Sequence, residues 1–314
     1  MTVNLIELIE FIKREYGLAV MQLTETKRGY YGETWCAESP FGKKFIKLVK
    51  SAEHRKRYEQ SFSIMEYLNA QGIDAVSKPL KTVDSKLFVE FNNATLGVFE
   101  WINGDNIQNE QTKIAEYNIL AEVYAVSASG LDIPIENFTT DVVDIFRRQC
   151  DKLHEQSQSE TVASLLRLFD SKQTIIEHRA ERLAHFSELC QSDRSHFYIT
   201  HGDAGGNIII DGGKYHLVDW DSPMYAPPER DAWFCLHWEW ATKAFHDALN
   251  HRGIYYTLRT ERLAYYCYKF FFLYLTFYLE SYFDGSIDGD KIVGEVMEYF
   301  SCWIEDNIRF ADVL

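Results

Sequence analysis

Residues 197–221 read FYITHGDAGGNIIIDGGKYHLVDWD, and this stretch carries the strongest local signal in the 314-residue chain. Two apolar runs, FYIT and NIII, frame a glycine-containing loop, and Asp211-Gly212-Gly213 then turns the chain into YHLVDWD. Two glycines after an aspartate favour a tight hairpin turn. The pattern predicts a β-hairpin with acidic residues on the loop before it and at its far end.

The polar residues of this hairpin suit phosphoryl transfer. Asp203 and Asn207 lie on the loop and Asp219 follows the returning strand, so their side chains can converge on one point. Phosphoryl transfer to a hydroxyl needs a carboxylate that orients the nucleophile and accepts its proton, and ligands for the metal that holds the triphosphate. Carboxylate and amide oxygens suit Mg²⁺. The alternative is a chance hairpin with acidic turns.

These motifs resemble those of the aminoglycoside-phosphotransferase superfamily, and within it the spectinomycin phosphotransferases. The resemblance rests on THGDAGGNIII and LVDWDSPMYAPPERDAWF, and extends more faintly to LIELIEFIKREYG, KKFIKLVK and VFEWING. It implies that Asp203 is the catalytic base, that Asn207 and Asp219 bind Mg²⁺, and that His201 and Asp231 brace the loop. The spacing from Asp203 to Asn207 is one residue shorter than is usual in the family.

A lysine within an apolar strand is the expected phosphate contact. Lys47 lies inside FIKLV, whereas the neighbouring lysines flank that run. A lysine buried in mid-strand needs a charged partner, and in kinases a helix glutamate pairs with a lysine that contacts the α- and β-phosphates. The helix predicted over residues 53–70 offers Glu53, Glu59 and Glu66, of which the resemblance selects Glu59. The alternative is that Lys47 reaches solvent from an edge strand.

Two further segments complete the predicted nucleotide site. The loop KRGYYGET, residues 27–34, joins the first two predicted strands, where a flap over the phosphates belongs. Its glycines, Gly29 and Gly32, are the candidate contacts there. In the hinge VFEWING, backbone groups of Glu100 and Ile102 are expected to face the base. The sequence does not distinguish ATP from GTP.

The whole pattern predicts an α+β chain with a bilobal, protein-kinase-like fold. Strand signals, including one over residues 77–83, dominate up to the turn Asn103-Gly104-Asp105, and helical periodicity dominates after it. We expect a small β-rich N-terminal nucleotide-binding lobe over residues 1–98 and a hinge over 99–104. A larger helical lobe over 105–314 would carry the catalytic hairpin and the acceptor site.

Aromatic residues are concentrated late in the chain. Residues 261–283, ERLAYYCYKFFFLYLTFYLESYF, are apolar all around the helix, which predicts a buried core helix. Tyrosines on one face could instead line an acceptor cleft. Trp233, Trp238 and Trp240 are likewise expected to pack in the protein rather than to bind the acceptor.

Charge is unevenly distributed along the chain. Residues 1–98 carry 14 basic and 12 acidic side chains, and the remainder carries 18 basic and 35 acidic ones. An acidic body disfavours nucleic acid and anionic membranes and attracts small cations. It therefore favours a cationic small-molecule acceptor, with solubility alone as the alternative. The oligomeric state stays open.

Cysteine usage and the N-terminus indicate a cytoplasmic protein. The six cysteines form no C-x-x-C pair, which favours unpaired thiols in a reducing compartment. The first residues lack the basic character of a secretory signal. The longest apolar run, residues 270–279, is about half the length that spans a bilayer.

Together these features predict an ATP- or GTP-dependent, Mg²⁺-dependent O-phosphotransferase, a small-molecule kinase. The expected acceptor is cationic, such as an aminoglycoside or aminocyclitol antibiotic. One alternative is a kinase of a metabolite hydroxyl, as in choline, homoserine or a sugar amine. Another is a nucleotide-binding pseudokinase with a regulatory role, which the short spacing from Asp203 to Asn207 would favour.

Overall fold

Residues 3–26, 32–156, 159–234 and 238–313 are described by a computed structural model of the chain. The chain divides into two units. The first comprises Met1–Ile135, Tyr198–Tyr225 and Ala248–Ile254, and the second comprises Glu136–Phe197, Ala226–Asp247 and Tyr255–Leu314. The lobe and hinge boundaries proposed from the sequence stay predictions.

A five-stranded antiparallel sheet forms the centre of the first unit. Its strands are β1 (Gln22–Glu25), β2 (Glu33–Ser39), β3 (Gly42–Val49), β4 (Val89–Phe91) and β5 (Ala94–Glu100). They pair in the order β1-β2-β3-β5-β4. Because β3 has a partner on each side, the alternative in which Lys47 reaches solvent from an edge strand is wrong.

Helix α1 (Leu5–Tyr16) covers one face of this sheet. The Asn4 side chain accepts hydrogen bonds from the backbone N–H groups of Ile6 and Glu7, which caps the helix. Leu8, Ile12 and Tyr16 recur every four residues and are buried. They join a core cluster with strand residues such as Trp35, Ile46, Leu96 and Val98. The amphipathic pattern therefore fixes which face of α1 meets the sheet.

Helix α2 (Ala52–Ala70) approaches strand β5 so closely that only glycine fits at the contact. A Cβ atom on Gly97 would lie 2.2 Å from Cζ of Phe62 and 2.7 Å from the hydroxyl of Tyr58. Gly97 is the register partner of Lys47 on β3, and the Tyr58 hydroxyl donates to the Lys47 carbonyl at 3.3 Å. This close packing therefore holds the strand that carries Lys47.

The β-hairpin predicted after the loop of Asp203 is confirmed. Helix α3 (Glu110–Tyr124) follows the sheet, and the later strands of the unit are β6 (Tyr198–Thr200), β7 (Ile208–Asp211), β8 (Lys214–Leu217) and β9 (Met224–Ala226). Strands β7 and β8 pair antiparallel. Gly212 and Gly213, which join them, have φ angles of 54° and 85°. Two positive φ angles are what a two-residue hairpin turn of this hand requires.

The prediction of a strand over residues 77–83 is wrong. That segment makes only an isolated bridge between Pro79 and Phe99, with hydrogen bonds from Leu80 N to Val98 O and from Glu100 N to Lys78 O. Proline has no N–H to donate, so it interrupts a strand ladder. The segment follows β5 without becoming a sixth strand.

The second unit is helical. Its helices are α4 (Asp141–Glu155), α5 (Glu160–Gln191), α6 (Glu229–Ala232), α7 (Glu239–His251, whose last turn belongs to the first unit), α8 (Thr260–Phe283), α9 (Gly289–Tyr299) and α10 (Trp303–Asp312).

Most of α8 is buried, so the prediction that it is a core helix is confirmed. Trp233 is buried, as expected, whereas Trp238 and Trp240 are 46% and 37% exposed and are not core residues. No helix in the described part of the chain is long and apolar enough to cross a membrane. The predicted α+β class is confirmed.

Substitution of Gly97 tests the close approach of α2. Gly97→Ala should lower the free energy of unfolding by about 1–3 kcal/mol, because the added methyl group overpacks the contact with Phe62. In the exposed middle of α9, nothing lies within 4 Å of a Cβ on Gly294. Gly294→Ala should therefore raise stability by about 0.5–1 kcal/mol, since glycine is unfavourable inside a helix. Denaturant unfolding measures both, and equal effects of the two variants would contradict the packing account.

Candidate active site

The side chain of Lys47 lies at the centre of a buried ion cluster. Lys47 is 6% exposed, and its Nζ donates to Oδ1 of Asp219 at 2.7 Å and to Oδ2 of Asp221 at 2.5 Å. Its ammonium also lies 5.7 Å from the ring centroid of Tyr58. A buried ammonium is stable only with such compensation. The hairpin that follows the catalytic loop supplies both carboxylates.

The cluster holds one positive and two negative charges, and the pKa values reflect this imbalance. Burial raises the pKa of Asp221 to about 6, and the neighbouring carboxylate of Asp219 adds to the rise against the opposing effect of Lys47. Burial also acts to raise the pKa of Asp219, but the Lys47 ammonium outweighs it and holds that pKa below its usual range. For Lys47, burial is outweighed by the two carboxylates, which raise its pKa. The site therefore carries more negative charge than its lysine balances.

Asp219 adopts a backbone conformation that few residues other than glycine take. Its φ angle is 66°, in the left-handed region, where aspartate is among the better tolerated side chains. Such strain is typical of functional sites, where the surrounding structure imposes it. Asp219 follows the end of β8, and its conformation directs the chain so that the side chains of residues 219 and 221 both reach Lys47.

Hydrogen bonds to the backbone of Val218 join the catalytic loop to the ion cluster. The N–H of Val218 donates to the carbonyl of Asn207 at 2.9 Å, and its carbonyl lies 3.0 Å from Nε2 of His201. His201 Nδ1 accepts from the N–H of Asp203 at 3.2 Å. His201 is buried, and its ring meets that of Trp220 edge-on at 4.6 Å. The loop is therefore held next to Asp219 by its own backbone.

Asn207 is oriented by the loop that it ends. Its Nδ2 donates to the carbonyl of Asp203 at 2.6 Å, and its backbone N–H donates to the carbonyl of Ala204 at 3.1 Å. Because the amide nitrogen donates within the loop, Oδ1 is the side-chain atom that can accept a bond from a ligand. The side chain of Asp203 is exposed. Despite its short spacing, the loop brings Asp203 and Asn207 together.

The structure does not bring Glu59 to Lys47. Oε1 of Glu59 accepts from the Thr95 hydroxyl at 2.6 Å and lies 3.7 Å from Nη2 of Arg55. The expected lysine partner is thus replaced by the two hairpin carboxylates, whose negative charge already compensates the ammonium. A cofactor-binding role for Glu59 stays a prediction.

Of the residues predicted for the flap and the hinge, the structure describes some. A Cβ on Gly32 would lie 3.0 Å from the carbonyl oxygen of Leu48 and 3.5 Å from Cε of Lys47, so the end of the flap abuts the lysine stem. Gly29 lies outside the described residues. In the hinge, Glu100 donates its N–H to the Lys78 carbonyl at 3.0 Å and accepts from Nζ of Lys44 at 2.7 Å.

The roles predicted for Ile102 and Asp231 stay predictions. Ile102 is half-buried in the predicted hinge. Asp231 is buried in α6 of the second unit, so its predicted bracing of the loop stays a prediction.

The donor atoms at this site fit Mg²⁺. Magnesium takes one or two carboxylates and completes its shell with waters and substrate phosphates. Asp219, Asp221 and the Asn207 amide oxygen supply such atoms beside a lysine that suits phosphate. In the described part of the chain, no cluster of three or more His, Cys, Asp or Glu side chains forms a dedicated metal cage. Donor atoms of this number and kind suit a metal that also takes oxygen atoms from a phosphate ligand.

Residues 24–265 match the phosphotransferase enzyme family, APH. The chain belongs to this family. Its members are nucleotide-dependent small-molecule kinases, so the prediction of a phosphotransferase is confirmed at the level of the family. No curated protein sequence is similar enough to count as a relative.

Solved structures of the family share the fold at low sequence identity. Spectinomycin phosphotransferase APH(9)-Ia, in complex with ADP and spectinomycin, is 20% identical, with a TM-score of 0.76 over 99% of this chain and 98% of that one. Amicoumacin kinase hAmiN, in complex with AMP-PNP, Ca²⁺ and Ami, is 13% identical, with a TM-score of 0.66 over 97% and 94%. Macrolide 2'-phosphotransferase type I is 15% identical, with a TM-score of 0.57 over 98% of both chains. These likenesses confirm the predicted protein-kinase-like fold.

Asp221 is the residue of the site that the sequence reasoning left without a role. It was visible in Asp219-Trp220-Asp221 as a second carboxylate two residues from the predicted metal ligand. Trp220 between them is buried and donates from Nε1 to the Leu217 carbonyl at 2.8 Å. That contact holds the segment in the orientation that presents both carboxylates to Lys47.

The pH dependence of folding tests the charge imbalance of the cluster. The pKa of Asp221 is about 6 in the folded chain, above its unfolded value of about 3.9. The stability that a raised pKa contributes is present below the unfolded value and is lost as pH rises to the folded one. Wild type should therefore lose on the order of 1–3 kcal/mol more than Asp221→Asn between about pH 4 and 6.

Denaturant unfolding across that pH range measures this difference. Asp247→Asn, in an exposed pair with Lys243 on α7, is the matched control and should follow wild type. Parallel pH profiles for wild type and Asp221→Asn would show that Asp221 is ionised without penalty.

Proposed function

We propose that this protein transfers the γ-phosphoryl group of a Mg²⁺-bound nucleoside triphosphate to a hydroxyl of a cationic acceptor, an aminoglycoside or aminocyclitol. The observation that carries the proposal is the contact of Lys47 with Asp219 and Asp221 beside the loop of Asp203 and Asn207. A lysine, metal-type ligands and an exposed carboxylate are the parts that phosphoryl transfer requires.

On the donor side, Lys47 holds the α- and β-phosphates through its ammonium. Asn207 and Asp219 would hold the metal through oxygen atoms, and Asp221 would add a second carboxylate. Mg²⁺ held there would neutralise phosphate charge and so favour in-line transfer. Gly32 leaves space beside the lysine stem, where a side chain would meet the Leu48 carbonyl. ATP is the expected donor, with GTP as the alternative.

On the acceptor side, Asp203 orients the attacking hydroxyl and accepts its proton. A bond forms between the acceptor oxygen and the γ-phosphorus while the bond from that phosphorus to the bridging oxygen breaks, leaving a nucleoside diphosphate. The exposed position of the Asp203 side chain suits contact with a second substrate. The hydrogen bond from its backbone N–H to His201 fixes the backbone position from which the Asp203 side chain extends.

Charge supports a cationic acceptor. The chain beyond residue 98 carries 35 acidic and 18 basic side chains, and the donor phosphates alone would not favour that excess. Two of the similar structures are complexes with small molecules other than nucleotides, spectinomycin in one and Ami in the other. Metabolite hydroxyls, as in choline, homoserine or sugar amines, are the competing acceptors.

The Asp203 role is tested with an acceptor chosen from a panel of aminoglycosides, spectinomycin, amino alcohols and neutral sugars, with ATP and GTP as donors. Asp203→Asn should lower kcat at least about a hundredfold, the usual contribution of a general base. Its affinity for the Mg-nucleotide should change little, because the carboxylate acts on the acceptor.

Coupled nucleotide-turnover kinetics and calorimetry measure the two effects. Asp211→Asn, on the hairpin turn of the same segment, serves as the control. Substantial turnover by Asp203→Asn would assign the base elsewhere. Nucleotide binding without turnover of any panel compound by wild type would instead favour the pseudokinase alternative.

A further inference from the structure

The segment that follows the predicted hinge is fixed against the catalytic hairpin. The N–H of Asp105 donates to the carbonyl of Ile210 at 3.2 Å, and the N–H of Ile210 donates back to the Asp105 carbonyl at 2.9 Å. A Cβ on Gly104 would lie only 2.0 Å from the Ile210 carbonyl oxygen. The two backbones are therefore in direct contact, and the residues after Asp105 begin at a defined place.

Two side chains of this segment reach the shortened loop. Nδ2 of Asn106 donates to the carbonyl oxygen of Gly206 at 2.5 Å, across 100 residues of sequence. A Cβ on Gly206 would lie 2.7 Å from Nε2 of Gln108, and Gly206 has a φ angle of 86°. The positive φ angle favours glycine at residue 206, and the end of the Gln108 side chain lies beside it.

The Asn106 contact acts on the peptide group that precedes Asn207. That planar group consists of the carbonyl of Gly206 and the N–H of Asn207. The carbonyl accepts from Asn106, and the N–H donates to the carbonyl of Ala204 at 3.1 Å. With both ends of the plane bonded, the peptide cannot rotate without losing a hydrogen bond, so the direction in which the Asn207 side chain leaves the backbone is set.

We propose that Asn106 is a positioning residue that holds Asn207 in the orientation in which it binds the metal of the Mg-nucleotide. The inference rests on the proposed function, since the metal-binding role of Asn207 belongs to it. The loop from Asp203 to Asn207 has only three intervening residues. Of the two hydrogen bonds described on this peptide, one lies within the loop and the other comes from Asn106, outside it. A residue outside the catalytic motif thus completes the shortened loop.

Calorimetric titration with AMP-PNP, in excess Mg²⁺ and in EDTA, separates this role from a general structural one. Asn106→Ala should lower the affinity measured in Mg²⁺ by about 10–100-fold, the usual effect of losing a residue that orients a metal ligand. The affinity measured in EDTA should stay unchanged, because Lys47 is untouched. Asn106→Leu, which keeps the volume and lacks the donor, should behave as Asn106→Ala does.

The control is Asn118→Ala. On α3, Nδ2 of Asn118 also donates to a backbone carbonyl, that of Ile114 at 2.9 Å, at an exposed position. This variant should match wild type in both titrations. An equal loss of Mg²⁺-dependent affinity in Asn118→Ala would overturn the inference, because the effect would then be general.

The two proposals fail in distinguishable ways. If wild type binds AMP-PNP equally well with and without Mg²⁺, the proposed metal site is wrong. If wild type shows the Mg²⁺ effect and both Asn106 variants retain it fully, the metal site stands and the positioning role of Asn106 is wrong. Loss of the Mg²⁺ effect with normal affinity in EDTA supports both.

Discussion

The buried ammonium of Lys47 and the two carboxylates that it contacts form the interaction on which the rest of the site depends. Lys47 lies on the central strand of the sheet, and its partners lie 172 and 174 residues later in the sequence. Removing one member of a buried ion pair typically costs about 3–5 kcal/mol, because a charge is left uncompensated. The hairpin is thus held to the sheet by the same atoms that are proposed to bind the donor.

Backbone and side-chain contacts both hold the residues around this cluster. Val218, the residue before Asp219, bonds through its N–H and carbonyl to Asn207 and His201. The strained φ angle of Asp219 turns its carboxylate towards Lys47. Asn106 also reaches the loop of Asn207, through the Gly206 carbonyl. A site that must hold a metal and phosphates in line benefits from such rigidity, because a misplacement of about 1 Å can reduce the rate on the order of a hundredfold.

Local patterns predicted much of this structure, and long-range contacts account for the rest. The glycine pair at residues 212 and 213 identified the hairpin, and the apolar neighbours of Lys47 identified it as buried. The partner of Lys47 was predicted as Glu59 by resemblance, but sequence spacing cannot show which of several carboxylates a fold brings to a lysine. Asn106 gave no signal, because a side chain that bonds to a backbone carbonyl leaves no mark on the partner's sequence. The exposure of Trp238 was missed for a related reason, since an aromatic residue predicts burial only on average.

A structure of the protein with AMP-PNP and Mn²⁺ in place of Mg²⁺ tests the central claim most directly, with the metal located by its anomalous scattering. The account predicts one metal bound by oxygens of Asp219 and Asn207 at about 2.0–2.2 Å, close to the distances that Mg²⁺ adopts, and Lys47 Nζ in contact with the α- or β-phosphate. A nucleotide bound away from Lys47, or a metal that touches neither Asp219 nor Asn207, would contradict it.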